Sequence, residues 1–208
     1  MKFTFRFLIV FVLAVAMFSQ HASASAVSMF KFKGLGANAS FESLDPSGCI
    51  LTRVDLFTAE AMIQSPPGRK APFSSMNLFL SQYDVCTDTP LLAAEGVKDL
   101  AEPDLQISSK LAGATLNTTI TMLDSLTGNT FDLSVDLSWT GIGPLRREHS
   151  GFHFGDRECR INSRFKGTFR GAEAFGTVSD GVTNFTPEFS IAADLISSNS
   201  RDMTIGCT

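Results

Sequence analysis

Tyrosine and tryptophan are nearly absent from this sequence. It contains one of each, against 19 phenylalanines. A binding site built on a platform of these amphipathic rings is therefore disfavoured. The sequence also lacks a C-x-x-C pair, an HExxH zinc motif and a G-x-S-x-G nucleophile elbow. The sequence therefore shows none of the most recognisable motifs of dithiol redox enzymes, zinc peptidases and serine hydrolases.

Long apolar runs are missing everywhere except at the N-terminus. Lys2 and Arg6 precede an apolar run over residues 7–18, and small residues follow at 22–26. This pattern predicts a secretory signal peptide over residues 1–26, with cleavage after Ala24 or Ala26. The remaining residues, 27–208, have the length of a single domain and contain no candidate transmembrane segment. The sequence thus predicts a secreted or periplasmic protein.

Basic residues are outnumbered by acidic ones in the chain that follows the predicted signal peptide, or leader. The leader holds two of the 17 basic residues and none of the 21 acidic ones, so the rest of the chain carries a net charge of −6. General nucleic-acid binding is disfavoured, because it depends on excess positive charge along the phosphate backbone.

Four cysteines follow the leader: Cys49, Cys86, Cys159 and Cys207. An even number of cysteines in an exported protein predicts two disulfides, for which three connectivities are possible. The sequence favours the local pairing, Cys49–Cys86 with Cys159–Cys207. Each bridge would close a loop of about 40 to 50 residues and stabilise the fold by about 4 kcal/mol.

Strict alternation of apolar and polar residues is the dominant pattern. Residues 130–139, TFDLSVDLSW, and the preceding 114–124 predict two antiparallel strands joined by a turn at Gly128 and Asn129. Several other segments read as strands. The fold class is therefore all-β, an antiparallel β-sandwich or partly closed barrel with two disulfides and little helix. The expected core consists of Phe131, Leu133, Val135, Leu137, Trp139, Leu116, Ile120, Phe165 and Phe169.

Two segments do not alternate. Residues 89–104 predict a short helix with Thr89 as its N-cap and Pro90 at its first position. Residues 140–156 are rich in glycine and predict a loop.

A cationic stripe is the strongest candidate for a binding site. Residues 159–170, CRINSRFKGTFR, place Arg160, Arg164, Lys166 and Arg170 at alternate positions of a strand, with Phe165 and Phe169 between them. We expect the cations to face solvent and the phenylalanines to face the core. Arg146 and Arg147 add supporting charge. Seven basic and three acidic residues lie between 146 and 170.

Such segregated charge favours a secreted non-enzymatic binding or surface-structural protein whose partner is an anionic polysaccharide or an acidic protein. The alternative is an ordinary solvated strand face, neutralised by the acidic outer face of residues 130–139. No cofactor is predicted, and the oligomeric state stays open.

An enzymatic alternative rests on two histidines, His149 and His153, in the segment REHSGFHFGDRE. With Asp156 and Glu158 they are candidates for the site of a secreted hydrolase or metal-dependent enzyme. Their spacing is that of helical zinc motifs, but the flanking glycines argue against a helix.

One internal similarity accompanies the stripe. FKGLGANASF at 32–41 resembles FKGTFRGAEAFG at 165–176. The recurrence of small residues suggests close strand packing, with Ala37, Ala39, Ala172 and Ala174 at tight contacts within the sheet.

Overall fold

The computed structural model describes residues 28–65, 68–155 and 160–205. The predicted signal peptide, Asp156, Glu158, Cys159 and Cys207 lie outside these ranges. The predicted Cys159–Cys207 bridge therefore stays a prediction. Within the described ranges the structure contains no helix long and apolar enough to cross a membrane.

The described chain is built from strands, which confirms the predicted all-β, antiparallel class. The ten strands are β1 (Ser28–Leu44), β2 (Ile50–Ser65), β3 (Arg69–Asp84), β4 (Thr89–Asp99), β5 (Leu105–Ile107), β6 (Gly113–Asp124), β7 (Thr130–Gly141), β8 (Arg146–Gly155), β9 (Arg160–Ser179) and β10 (Ala192–Ile205). They form one antiparallel sheet in the order β10-β1-β2-β3-β4-β6-β7-β9-β8, and β5 adds to β6.

The sheet closes on itself, because β10 at one end of this order also pairs with β9. Along one edge, β9 pairs with two different strands in succession. Residues 172–179 pair with β7, and residues 160–169 pair with β8. The closed part of the sheet is filled by core side chains. Beyond it, the long strands β3, β2, β1, β10, β9 and β8 continue as an extension whose inner face is open.

The predicted hairpin over 114–139 is present as β6 and β7, with Gly128 in the left-handed region at φ 74°. Its inward side chains fill the core as expected. Leu116, Ile120, Leu133, Val135, Leu137 and Trp139 are buried, and Phe131 packs against them. The Trp139 indole Nε1 donates a 2.7 Å hydrogen bond to the carbonyl oxygen of Asn38 on β1.

The predicted inward orientation of Phe165 and Phe169 is wrong. The residues of β9 that reach the core are Ala172, Ala174 and Val178, all at even positions. Because side chains alternate along a strand, the two odd-numbered phenylalanines lie on the outer face. There the two rings pack 6.0 Å apart, centroid to centroid.

The predicted helix over 89–104 is also wrong, since β4 covers Thr89–Asp99. Its even-numbered residues face inward, and Gly96 among them is buried. A Cβ at this position would lie only 2.7 Å from Met122 Sδ and 2.8 Å from the Thr121 carbonyl oxygen. The absence of a side chain at Gly96 thus permits the close approach of β4 and β6.

The predicted loop over 140–156 contains a strand, β8, from Arg146 to Gly155. Little alternation marks it in the sequence, because most of its described side chains are exposed on both faces. This strand forms because it pairs with the long β9. Such pairing between distant segments cannot be predicted from the local pattern of residues.

The Cys49–Cys86 disulfide is confirmed. It joins the turn before β2 to the turn after β3, across a sequence separation of 37 residues. The small residues of the internal similarity are buried as expected, with Ala37, Ala39, Ala172 and Ala174 between 0% and 7% exposed.

Candidate functional site

The cations of β9 lie on the inner face of the sheet. Arg160, Arg164 and Lys166 are exposed to solvent as predicted, but the expectation that they lie on the face opposite to the core residues is wrong. Arg164, Lys166 and Arg170 share the parity of the core residues Ala172 and Ala174. They remain accessible because the inner face is uncovered beyond the closed part of the sheet, where Arg164 and Lys166 are exposed. The same alternation that fills the core thus turns these cations toward the concave side of the extension.

Strand pairing brings other cations beside them. Lys33 on β1, Asn199 on β10, Lys166 on β9 and His149 on β8 are consecutive cross-strand partners, and we call these four the lysine row. Neighbouring strands lie about 4.8 Å apart, so the row spans about 15 Å.

The lysine row lies between two similar rows. Both of these rows also lie on the inner face of the sheet. The outer row is farther from the closed part of the sheet and consists of Lys31, Arg201, Arg164 and Gly151. The inner row is nearer to the closed part and consists of Leu35, Ser197, Thr168 and Arg147. Together the three rows form the concave cationic surface. Six of its twelve positions are lysine or arginine, and none is aspartate or glutamate.

A cleft of about 220 Å³ opens in the middle of this surface. Its lining combines cationic and titratable side chains with uncharged hydrogen-bonding ones: Lys33, Arg147, His149, Lys166, Thr168, Ser197, Ser198, Asn199 and the glycine at 167. Four strands therefore contribute to one cavity. Polar groups that converge from several elements on one small cavity are a typical feature of a ligand-binding site.

The positive charges of this surface are not neutralised by carboxylates among the described residues. The ion pair that the described ranges contain, Arg53 with Asp55, lies on the outer face of β2. The rows continue onto β2, where Glu60 pairs with Leu35. Burial raises the pKa of Glu60, and the Glu102 charge raises it further. A carboxyl group on β2 therefore continues the inner row.

Arg170 and Arg160 differ from the other cations of the stripe. Arg170 is half-buried, and its guanidinium donates to the carbonyl oxygens of Gly143 and Leu111 at 3.2 and 3.4 Å. These bonds hold the loop between β7 and β8 against the closed part of the sheet, so Arg170 has a structural role. Arg160 is exposed at the far end of β9, opposite Gly155.

Arg146 and Arg147 point to opposite faces of β8. Arg147 lines the cleft. Arg146 lies on the outer face near Asp194, where burial raises the pKa of the aspartate and the Arg146 charge opposes that rise. Of the six predicted cations, the structure therefore places Lys166 and Arg147 in the cleft and Arg164 beside it on the concave cationic surface. It leaves Arg146, Arg160 and Arg170 outside this surface.

Sequence reasoning missed Lys31, Lys33 and Arg201, which come from the first and last strands. A signal for Lys33 was present in the internal similarity. The two Phe-Lys-Gly triplets, 32–34 and 165–167, occupy the same rows on either side of β10. Since β1 and β9 both run antiparallel to β10, the triplets are parallel to each other and related by a shift across two strands, about 9.6 Å.

The two histidines are exposed on the inner face of β8. His149 lines the cleft, whereas the Nδ1 atom of His153 is hydrogen-bonded to Oδ1 of Asn162. Four strand residues separate their Cα atoms by about 13 Å, which is too far for both imidazoles to bind one ion at about 2.1 Å. The pair by itself does not form a metal site, and Asp156 and Glu158 lie outside the described residues.

One grouping of metal-ligand side chains occurs in the described part of the chain, formed by Cys49, Asp84 and Cys86. Both sulfur atoms are joined in the disulfide, so neither is a thiolate that could bind a metal.

No model of a known protein family matches the chain, and no curated protein matches its sequence.

Proposed function

We propose that this protein is an exported, non-enzymatic binding protein that holds an anionic polysaccharide on its concave cationic surface. One observation carries the proposal. Lys33 and Lys166 lie in one cross-strand row with His149, and this row lines a cleft without a carboxylate among its described residues.

Electrostatics supports this assignment. Like charges on neighbouring strands are destabilising, yet Lys31, Arg201 and Arg164 occupy three adjacent strands in a single row. A polyanion relieves that repulsion, and a concave surface of one sign concentrates the field that attracts it. The chain is acidic as a whole, with a net charge of −4, so this positive surface is a local feature.

The disulfide supports action outside the cytoplasm. Disulfides such as Cys49–Cys86 persist in oxidising compartments and are rare in the cytosol. The predicted signal peptide likewise indicates export from the cytoplasm.

The test compares two double variants that remove equal charge. Lys33→Gln/Lys166→Gln removes two cations from the cleft. Arg69→Gln/Lys110→Gln removes two exposed cations elsewhere. Binding to immobilised dextran sulfate and carboxymethyl dextran is measured over a range of salt concentrations. We expect the cleft variant to bind roughly tenfold or more weakly, because charge-assisted hydrogen bonds are lost.

The salt dependence provides a second readout. Loss of two contacts reduces the slope of log affinity against log salt by roughly one to two. The control variant should retain the wild-type affinity and slope. Equal behaviour of the two variants, or no binding of the wild type to either polymer, would contradict the proposal.

A further inference from the structure

We infer that the cleft holds one tetrahedral oxyanion, a sulfate or phosphate ester group of the polymer, between Lys33 and Lys166. The inference rests on the proposed function and specifies which charged group the cleft recognises. Four features of the cleft carry it.

The first feature is the direction from which donors approach. Lys33 enters from β1, Lys166 from β9, and Arg147 and His149 from β8, with Asn199 between the two lysines. The donors therefore reach the cleft from the two strands at its edges, β1 and β8, and from the two strands between them. A carboxylate accepts hydrogen bonds at two oxygens within one plane, whereas a sulfate or phosphate ester presents three terminal oxygens in different directions. The arrangement of donors matches the tetrahedral group better.

The second feature is size. At about 220 Å³ the cleft is smaller than the 300–1,000 Å³ that is typical of sites enclosing a whole small molecule. It accommodates a charged substituent together with part of the unit that bears it.

The third feature is the chemistry of the lining. The described side chains that line the cleft include no Phe, Tyr, Trp, Leu, Ile, Val or Met, and the one aromatic ring among them is the polar imidazole of His149. Sites that bind the body of a small molecule are lined mainly by apolar and aromatic groups. Charge-assisted hydrogen bonds from Lys33, Lys166 and Arg147 are therefore the main source of affinity here, and such bonds are strongest to fully ionised oxyanions.

The fourth feature is the outer row. Lys31, Arg201 and Arg164 lie one strand repeat beyond the lysine row, about 6.6 Å away along the strands. They extend the positive surface toward the open end of the sheet. A ligand with one group in the cleft and further anionic groups along its chain contacts both rows, which favours a polymer of repeating esters.

The test compares polymers that differ only in the anionic group. Affinities for dextran sulfate and carboxymethyl dextran of equal chain length and charge density are measured by titration calorimetry at pH 7.5. We expect the sulfated polymer to bind at least about tenfold more tightly. In Lys33→Gln/Lys166→Gln this ratio should fall to about one.

A matched variant separates recognition from general attraction. Lys31→Gln/Arg201→Gln removes the same charge from the outer row and should weaken binding of both polymers while the ratio is retained. Equal affinity of the wild type for both polymers would overturn the inference and leave the proposed function intact. Failure to bind either polymer would remove both.

Competition distinguishes the two esters. Inorganic sulfate, inorganic phosphate and acetate are compared as competitors of dextran sulfate at equal ionic strength. Stronger displacement by sulfate or by phosphate supports the inference, and the more effective ion identifies the ester. Acetate that competes as well as both would overturn it.

Discussion

Lys166 and His149 lie directly opposite each other on the paired strands β9 and β8, and both line the cleft. Arg147 on the same strand as His149 and Lys33 across the cleft face the same space. Any anion in the cleft therefore also faces the His149 imidazole.

His149→Ala should bind a sulfated polymer roughly three- to tenfold more weakly than the wild type. The imidazole lines the cleft and carries a ring N–H that can donate a hydrogen bond to an anion there, and alanine removes this donor. Affinity for dextran sulfate is measured by calorimetry at pH 7.5.

His153→Ala is the control, because it affects the histidine that is hydrogen-bonded to Asn162 and does not line the cleft, and it should retain the wild-type affinity. An affinity that is unchanged in the His149 variant would show that the imidazole does not face the bound anion.

Gly167→Ala should destabilise the sheet behind the lysine row. A Cβ at this position would lie 2.5 Å from a ring carbon of Phe169 and 2.6 Å from a ring carbon of Phe165. The rings must move to accept it, and such overpacking costs about 1–3 kcal/mol. The free energy of unfolding is measured with urea.

Gly151→Ala provides the control, because the nearest atom to its Cβ would be the Ser163 carbonyl oxygen at 3.8 Å. We expect a change of less than about 0.5 kcal/mol for an exposed strand position of this kind. A similar loss of stability in both variants would refute the close packing of the two phenylalanines over Gly167.

Removal of the disulfide in Cys49→Ser/Cys86→Ser should reduce the free energy of unfolding by about 4 kcal/mol. The bridge closes a loop with a sequence separation of 37 residues, and its loss restores the loop entropy of the unfolded chain. The bridge lies at the end of β2 opposite to the residues that adjoin the cleft. Dextran sulfate affinity of the folded variant should therefore equal that of the wild type, and a large change in it would contradict this geometry.

Asp124 should contribute to the loss of stability in acid. Hydrogen bonds from the Thr127 hydroxyl and the Leu126 amide lower the pKa of this carboxyl below the usual 3.8. A depressed folded pKa gives stability that is present above the unfolded pKa and is lost as the pH falls through the folded pKa. The wild type should thus lose this contribution below about pH 4.

Asp124→Asn should be less stable than the wild type at pH 7, and the difference should shrink toward pH 2. Asp99→Asn, at the exposed end of β4, serves as the control and should leave the profile unchanged. Urea unfolding at five pH values measures both. A difference between Asp124→Asn and the wild type that is constant over pH would contradict the assigned hydrogen bonds.

Local pattern was sufficient for part of the fold. The alternation in β6 and β7 predicts both strands, their turn and their buried faces. In a half-buried strand, consecutive side chains face the core and the solvent in turn, so apolar and polar residues alternate in the sequence. The same reasoning fails for β8, whose two faces are both largely exposed. It also fails for β4, where local helix signals at Thr89 and Pro90 are overridden by pairing with β3.

The candidate site was only partly predictable. The spacing of Arg164 and Lys166 places both on one face of a strand, but the sequence does not state which face reaches the core. The buried residues Ala172 and Ala174 show that the even-numbered face of β9 is the one that reaches the core. In the sequence, these small residues indicate a core face less strongly than the large apolar residues Phe165 and Phe169 do. Large rings were expected inside, and the limited space between the closed strands selected alanine instead.

The sequence by itself determined an all-β chain and a run of cations on one strand, and it favoured the Cys49–Cys86 pairing that the structure contains. Tertiary structure alone decided that Lys33, from the first strand, lies in one cross-strand row with Lys166 and His149. The physical reason is that side-chain alternation is a local property of each strand, whereas cross-strand neighbours depend on how distant segments pair when the sheet closes.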